Sequence, residues 1–153
     1  MLRLGETARG VVVIDNSASD KDLEALTNKG VAGIRFHMFP GGALPWSILE
    51  TMAPRVHNFG WHIQLQLDGK ELPNHIELIR RLSCPVLIDH VGKFLEPVSP
   101  VSKIFQMMRD LVENGAWVKL SAAYKTSRIG PPNFEDTGAL AKAFIALAPE
   151  RML

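Results

Sequence analysis

The run WHIQLQLD at residues 61–68 alternates strictly between two kinds of side chain. Side chains of an extended strand point to opposite faces with period two. Ile63, Leu65 and Leu67 therefore share one face, and His62, Gln64, Gln66 and Asp68 share the other. The apolar face calls for a packed core. The polar face cannot lie under a helix, because polar groups buried without partners cost several kcal/mol. It suits a concave surface with polar neighbours or a ligand.

Four more strand-like runs flank this one: Gly10 to Asp15, Val31 to His37, Pro85 to His90 and Ala116 to Ser121. Helical patterns separate them. Ser19 or Asp20 is placed to cap a helix that Gly30 ends. A second pattern starts near Pro45 and ends at Gly60, with Pro54 expected to kink it. Leu72, Ile76, Ile79 and Leu82 form a stripe at helical spacing, as do Ile104, Met107, Met108, Leu111 and Val112. The Met107–Met108 pair reads as core. An Ala-rich helix closes the chain, and His57 and His75 fall on helices at expected surface positions.

Alternating strands and helices predict βα units and a parallel sheet. Two architectures fit: a five-stranded, flavodoxin-like doubly wound sheet, or an incomplete (β/α)8 barrel of about five βα units. A doubly wound sheet covers both faces of its central strands, which then read apolar throughout. These strands do not. Arg35 and His37 oppose Ile34 and Phe36, and Lys119 and Ser121 oppose Val118 and Leu120. His90 shares its face with Val86 and Ile88. Polar residues gather toward the C-terminal strand ends, where barrel active sites form. The barrel is the expected fold.

The 153 residues are read as a single domain, 1–153, with a net charge of +1. That charge gives no electrostatic case for nucleic acid or an anionic membrane. The longest aliphatic run, VVVI, is too short to span a bilayer. No leader pattern is visible at the N-terminus, so a cytoplasmic location is expected. The lone Cys84 excludes a disulfide framework and reads as a small buried filler.

In a barrel, Arg35, His37, Gln64, Gln66, Asp68, His90 and Lys119 converge, and Lys93, Lys125 and Arg128 lean over the mouth. This set is rich in cations and amides and suits a small anionic, oxygen-rich molecule. A histidine there transfers protons near neutral pH or ligates a metal. Quieter readings exist. Arg35 has internal partners available in Asp68 or Asp15, and Gln64 and Gln66 can satisfy each other. FPGGALPW at 39–46 reads as a lid loop or as a static turn.

GVAGIRFHMF, FGWHIQLQLDGKEL, CPVLIDHVGKF, WVKLS and PERML, in this order, resemble the amidohydrolase-related family of (β/α)8 barrels. The resembling branch contains 2-pyrone-4,6-dicarboxylate lactonases and sugar-acid lactone isomerases. The resemblance implies that His90 is the histidine ending the sixth strand, a catalytic residue and a candidate metal ligand. It implies substrate-carboxylate roles for Arg35, Lys93 and Lys125. His37, Gln66 and Lys119 join them as expected substrate-binding residues. The first-strand His-x-His motif has no counterpart here, and the chain stops where the eighth strand should begin. The span is thus expected to hold strands three to seven.

The resemblance leaves two expectations for a full-length parent, a divalent metal such as zinc or metal-independent chemistry, since the branch holds members that work without one; no metal is expected in this chain, where His90 alone remains of the usual ligands. Gly41 and Gln66 replace an arginine and an aromatic residue of the lactonase pattern, which shifts the expected substrate from a pyrone to an aliphatic lactone. The expected activity is lactone hydrolysis by the parent, with lactone isomerisation as the alternative. An inactive fragment or a small α/β binding protein is a third reading. The open barrel edges, near Gly10 to Asp15 and Ala116 to Ser121, predict that this span alone is marginal, oligomeric or aggregation-prone.

Overall fold

The computed structural model describes residues 5–153. Five parallel strands alternate with five helices: β1 (Gly10–Val12), α1 (Asp20–Asn28), β2 (Val31–His37), α2 (Ser47–Asn58), β3 (His62–Gln66), α3 (Leu72–Arg80), β4 (Val86–Ile88), α4 (Lys103–Glu113), β5 (Trp117–Val118) and α5 (Glu135–Leu147). β2 keeps the bounds of its sequence run, the other strands are shorter than their runs suggest, and β5 has only two residues.

Strand order decides between the two architectures. The sheet runs β1-β2-β3-β4-β5, each strand beside its sequence neighbour. A doubly wound sheet must reverse its order to place helices on both faces. A sequential order winds every helix onto one face, as in a barrel. Register identifies that face: Ile34 pairs with Ile63, Phe36 with Leu65, and Ile63 and Leu65 with Val86 and Ile88. Ile34, Phe36, Ile63, Leu65 and Ile88 are fully buried beneath the helices. The fold is a set of βα units of a (β/α)8 barrel, and the flavodoxin-like alternative is set aside.

The helical side of the core comes from the predicted stripes. Leu72, Ile76 and Ile79 of α3 are buried. The helix stops at Arg80, so Leu82 reaches the core from the following turn. In α4, Phe105, Met108, Leu111 and Val112 are buried, and Met107 packs against them. Phe105 meets the rings of Phe94 and Phe144 at centroid distances of 6.2 and 4.7 Å. Helix α2 runs as one element through Pro54. Cys84 is buried, and burial pushes its thiol up to about 11, which suits a filler.

Caps follow the sequence signals. Ser19 caps α1 in a reciprocal box with Asp22. The Ser102 hydroxyl accepts from the Phe105 amide, 3.3 Å away, at the start of α4. Ser102→Ala should cost about 1 kcal/mol, the usual worth of such a cap. Urea denaturation measures this, and an unchanged midpoint would contradict it.

β5 is an edge strand of the sheet, and the chain's last residues begin to pair with it: Met152 bridges Val118 in parallel, the Leu153 amide donates to Val118 O at 3.0 Å, and the Leu120 amide donates to Leu153 O at 2.6 Å.

Candidate active site

The concave face carries the polar residues because register aligns them in rows. Arg35 lies beside Gln64, and Gln64 beside Leu87. Two residues further along, His37 lies beside Gln66. Since Leu87 is on this face, period two puts Asp89 on it as well. Asp89 is only 1% exposed.

Asp89 is the hub. The Gln64 amide donates to its Oδ1 at 2.6 Å. Arg35 Nη2 donates to its Oδ2 and also to Gln66 Oε1, the latter at 3.0 Å. The expected pairing of Arg35 with Asp68 or Asp15 does not occur, and the two glutamines do not bond to each other. A buried carboxylate needs a counter-charge more than two amides need one another. The Asp68 carboxylate accepts from the Lys70 and Leu95 amides and caps the turn Gly69–Glu71. Arg128 is exposed and donates to Leu95 O at 3.5 Å.

Sequence alternation puts His90 on the helix-facing side with Val86 and Ile88. The backbone corrects this. β4 ends at Ile88, and His90, Val91, Gly92 and Lys93 all take positive φ, at 54°, 57°, 84° and 41°. That region is strained for ordinary residues, and a β-branched valine there is an outlier. Three hydrogen bonds hold the turn: Val91 N to Lys119 O, Gly92 N to Asp89 O and Lys93 N to His90 O, at 3.0, 3.0 and 2.8 Å. Gly92 also permits tight packing, since a Cβ there would meet Met108 Sδ at 2.4 Å. The result swings His90 sideways to Ser121, with Nδ1 3.0 Å from Oγ. Nε2 is the ring nitrogen left to exchange a proton.

Burial lowers the His90 pKa below the ordinary imidazole value; the Asp89 carboxylate pulls it up, and Lys125, Arg35 and Lys93 push it down. Lys93 is also lowered, first by burial and then by Lys125. These couplings bring His90, Lys93, Lys125, Arg35 and Asp89 into one electrostatic cluster. Lys125 sits exposed on the turn Ala123–Lys125, and Lys119 is half-buried in the row of Asp89. His37 is exposed, with its ring 5.3 Å from that of Phe39.

Among the described residues no three His, Cys, Asp or Glu side chains converge on a possible metal position. Near the mouth Asp89 is committed to Arg35 and Gln64, which leaves His90 Nε2 as the donor available from these two residues. A dication there would face Arg35, Lys93 and Lys125. This donor set does not fit zinc, which takes about three protein ligands in catalytic sites.

Sequence reading missed Asp89, Ser121 as the His90 partner, and the environment of His75. Asp89 lies inside the motif CPVLIDHVGKF, and its parity with Gln64 follows only once the strands are aligned. His75, expected on the surface, is half-buried and stacks on Trp46 at 3.7 Å between centroids, 9° from parallel. No local pattern signals that contact.

The amidohydrolase family matches residues 2–153. The D-galactarolactone isomerase of Agrobacterium fabrum is 32% identical over 98% of this chain and 51% of its own length. The 2-pyrone-4,6-dicarboxylate hydrolase of Comamonas testosteroni is 26% identical over 97% of this chain and 52% of its own. An apo crystal structure from Agrobacterium tumefaciens superposes with a TM-score of 0.92 at 31% identity, covering 99% of this chain and 56% of that one. The chain spans about half the length of the curated relatives it matches. Among the described residues, no helix is long and apolar enough to cross a membrane.

Proposed function

This chain belongs to the amidohydrolase family, and we propose that its protein hydrolyses a lactone bearing a free carboxylate. The observation that supports this most is His90, held by Ser121 within a cluster of three cations and one buried carboxylate. In this reading the five strands are the third to seventh of the barrel.

His90 acts as general base, because a lowered pKa leaves its imidazole neutral near pH 7. Water attacks the lactone carbonyl carbon, and its proton passes to His90 Nε2. The acyl–oxygen bond breaks, and the ring oxygen leaves as a hydroxyl after taking that proton. Asp89 stabilises the transient imidazolium. Cations placed where negative charge develops on the carbonyl oxygen lower the barrier.

Lys93 and Lys125 hold the free carboxylate as point charges. In this reading Arg35 both anchors the polar network and binds substrate. Its Nη2 is already shared between Asp89 and Gln66, so it anchors the network and presents its remaining donors to substrate. His37, Gln66 and Lys119 line the same row and contact hydroxyls of an aliphatic lactone. No step is routed through a metal, since the donors present do not fit one.

Isomerisation is the second reading, favoured by the 32% identity to a lactone isomerase. The same base would then deprotonate a hydroxyl of the substrate itself, moving the acyl bond from one oxygen to another. Proton NMR of D-galactarolactone incubated with the full-length protein separates the outcomes. The open-chain diacid is expected. An isomeric lactone would replace hydrolysis with isomerisation, and unchanged substrate would sink both.

A further inference from the structure

Phe39 lies on the loop between β2 and α2, with no polar group to offer chemistry. Its ring face is nonetheless where the Lys93 ammonium rests, with Nζ 3.9 Å from the ring centroid. The loop fixes this ring from both ends. The Gly42 amide donates to Phe39 O at 2.9 Å. Gly42 passes so close to β2 that a Cβ would fall 1.8 Å from His37 O. Gly41 supplies φ +85°, and Trp46 at the far end is clamped on His75. Lys93 is fixed in backbone by the left-handed turn, but its side chain has four rotatable bonds. Burial disfavours its ammonium and Lys125 and Arg35 repel it, while the Asp89 and Asp68 carboxylates attract it. A ring face attracts a cation and opposes that repulsion without neutralising the charge. A carboxylate in the same place would neutralise it.

We propose that Phe39 is a positioning residue for specificity: its ring holds the Lys93 ammonium at the mouth, and so sets how tightly the site takes the free carboxylate of a lactone. This rests on the reading of Lys93 as a carboxylate-binding group.

The test uses the full-length protein and Phe39→Leu, which keeps apolar bulk and removes the π face. Two substrates are compared, D-galactarolactone and its methyl ester. The KM for the acid should rise roughly 3- to 10-fold, the range of a partly buried cation–π contact, with kcat nearly unchanged. The KM for the ester should stay level, and Phe39→Tyr should restore the acid. In parallel, lysine side-chain carbon NMR follows the Lys93 titration, assigned with Lys93→Arg. Lys93 should titrate lower in Phe39→Leu than in the wild type. An unchanged Lys93 titration, or an equal KM rise for acid and ester, overturns the proposal. Absence of turnover by the wild type would overturn the lactonase reading instead, and the titration would still decide whether Phe39 holds Lys93.

Discussion

His90→Ala in the full-length protein is expected to lower lactone turnover by roughly 100- to 10,000-fold, the usual contribution of a positioned general base. The fold should survive, because the half-buried ring makes one side-chain hydrogen bond, to Ser121. The pH profile supplies the sign. A base works unprotonated, so kcat/KM should rise with pH through the His90 pKa and level off above it. Burial places that inflection below the ordinary imidazole value of about 6.5. Asp89→Asn removes the carboxylate that raises it, so the inflection should move lower still. His90→Asn keeps polarity without a titrating group and should abolish the inflection. Turnover of His90→Ala at the wild-type rate would remove His90 from the mechanism.

Asp89→Ala is the second large effect, and it falls on stability. The substitution strips Gln64 of its acceptor and leaves the Arg35 guanidinium facing a buried gap. Removing one partner of a fully buried ion pair costs about 3–5 kcal/mol. The Arg35 side chain is 35% exposed, so water recovers part of its solvation. About 2–4 kcal/mol is therefore expected, read from urea denaturation. Adding Arg35→Met should recover part of the loss, since the stranded charge is gone. A wild-type midpoint for Asp89→Ala would show that the network carries no stability.

These two residues are neighbours in sequence, yet they differed in legibility. His90 stood out as a polar residue at the end of an apolar run within a recognisable motif. Asp89 did not, because its meaning depends on register. A strand read alone does not say which of its faces is concave. Pairing Leu87 with Gln64 answers that and makes Asp89 the lumen-facing residue. His90 then reaches the site against strand parity, through four consecutive left-handed residues. Three of those are not glycine, and nothing in their identity announces positive φ.

Arg35 shows the same limit. Its place on the polar face of β2 follows from alternation with Ile34 and Phe36. Its partner does not, because Asp15, Asp68 and Asp89 are equally acidic on paper. Asp68 was drawn off by backbone amides at a turn, which left Asp89 as the carboxylate within reach.

Local periodicity alone carried the fold class, the helix faces and the polar concave surface. Period two and period 3.6 are properties of a single segment, and burial rewards them wherever the segment packs. The choice of barrel winding over a doubly wound sheet rested on polar strand faces, and the sequential strand order confirmed it. The pairings of Arg35, Gln64 and Gln66, the turn that redirects His90, the seat of Lys93 on Phe39 and the Trp46–His75 clamp were decided only in three dimensions. Each joins groups from different βα units, and hydrogen bonds and ring contacts act over about 3–6 Å. Such contacts exist only after the sheet has brought its strands into register.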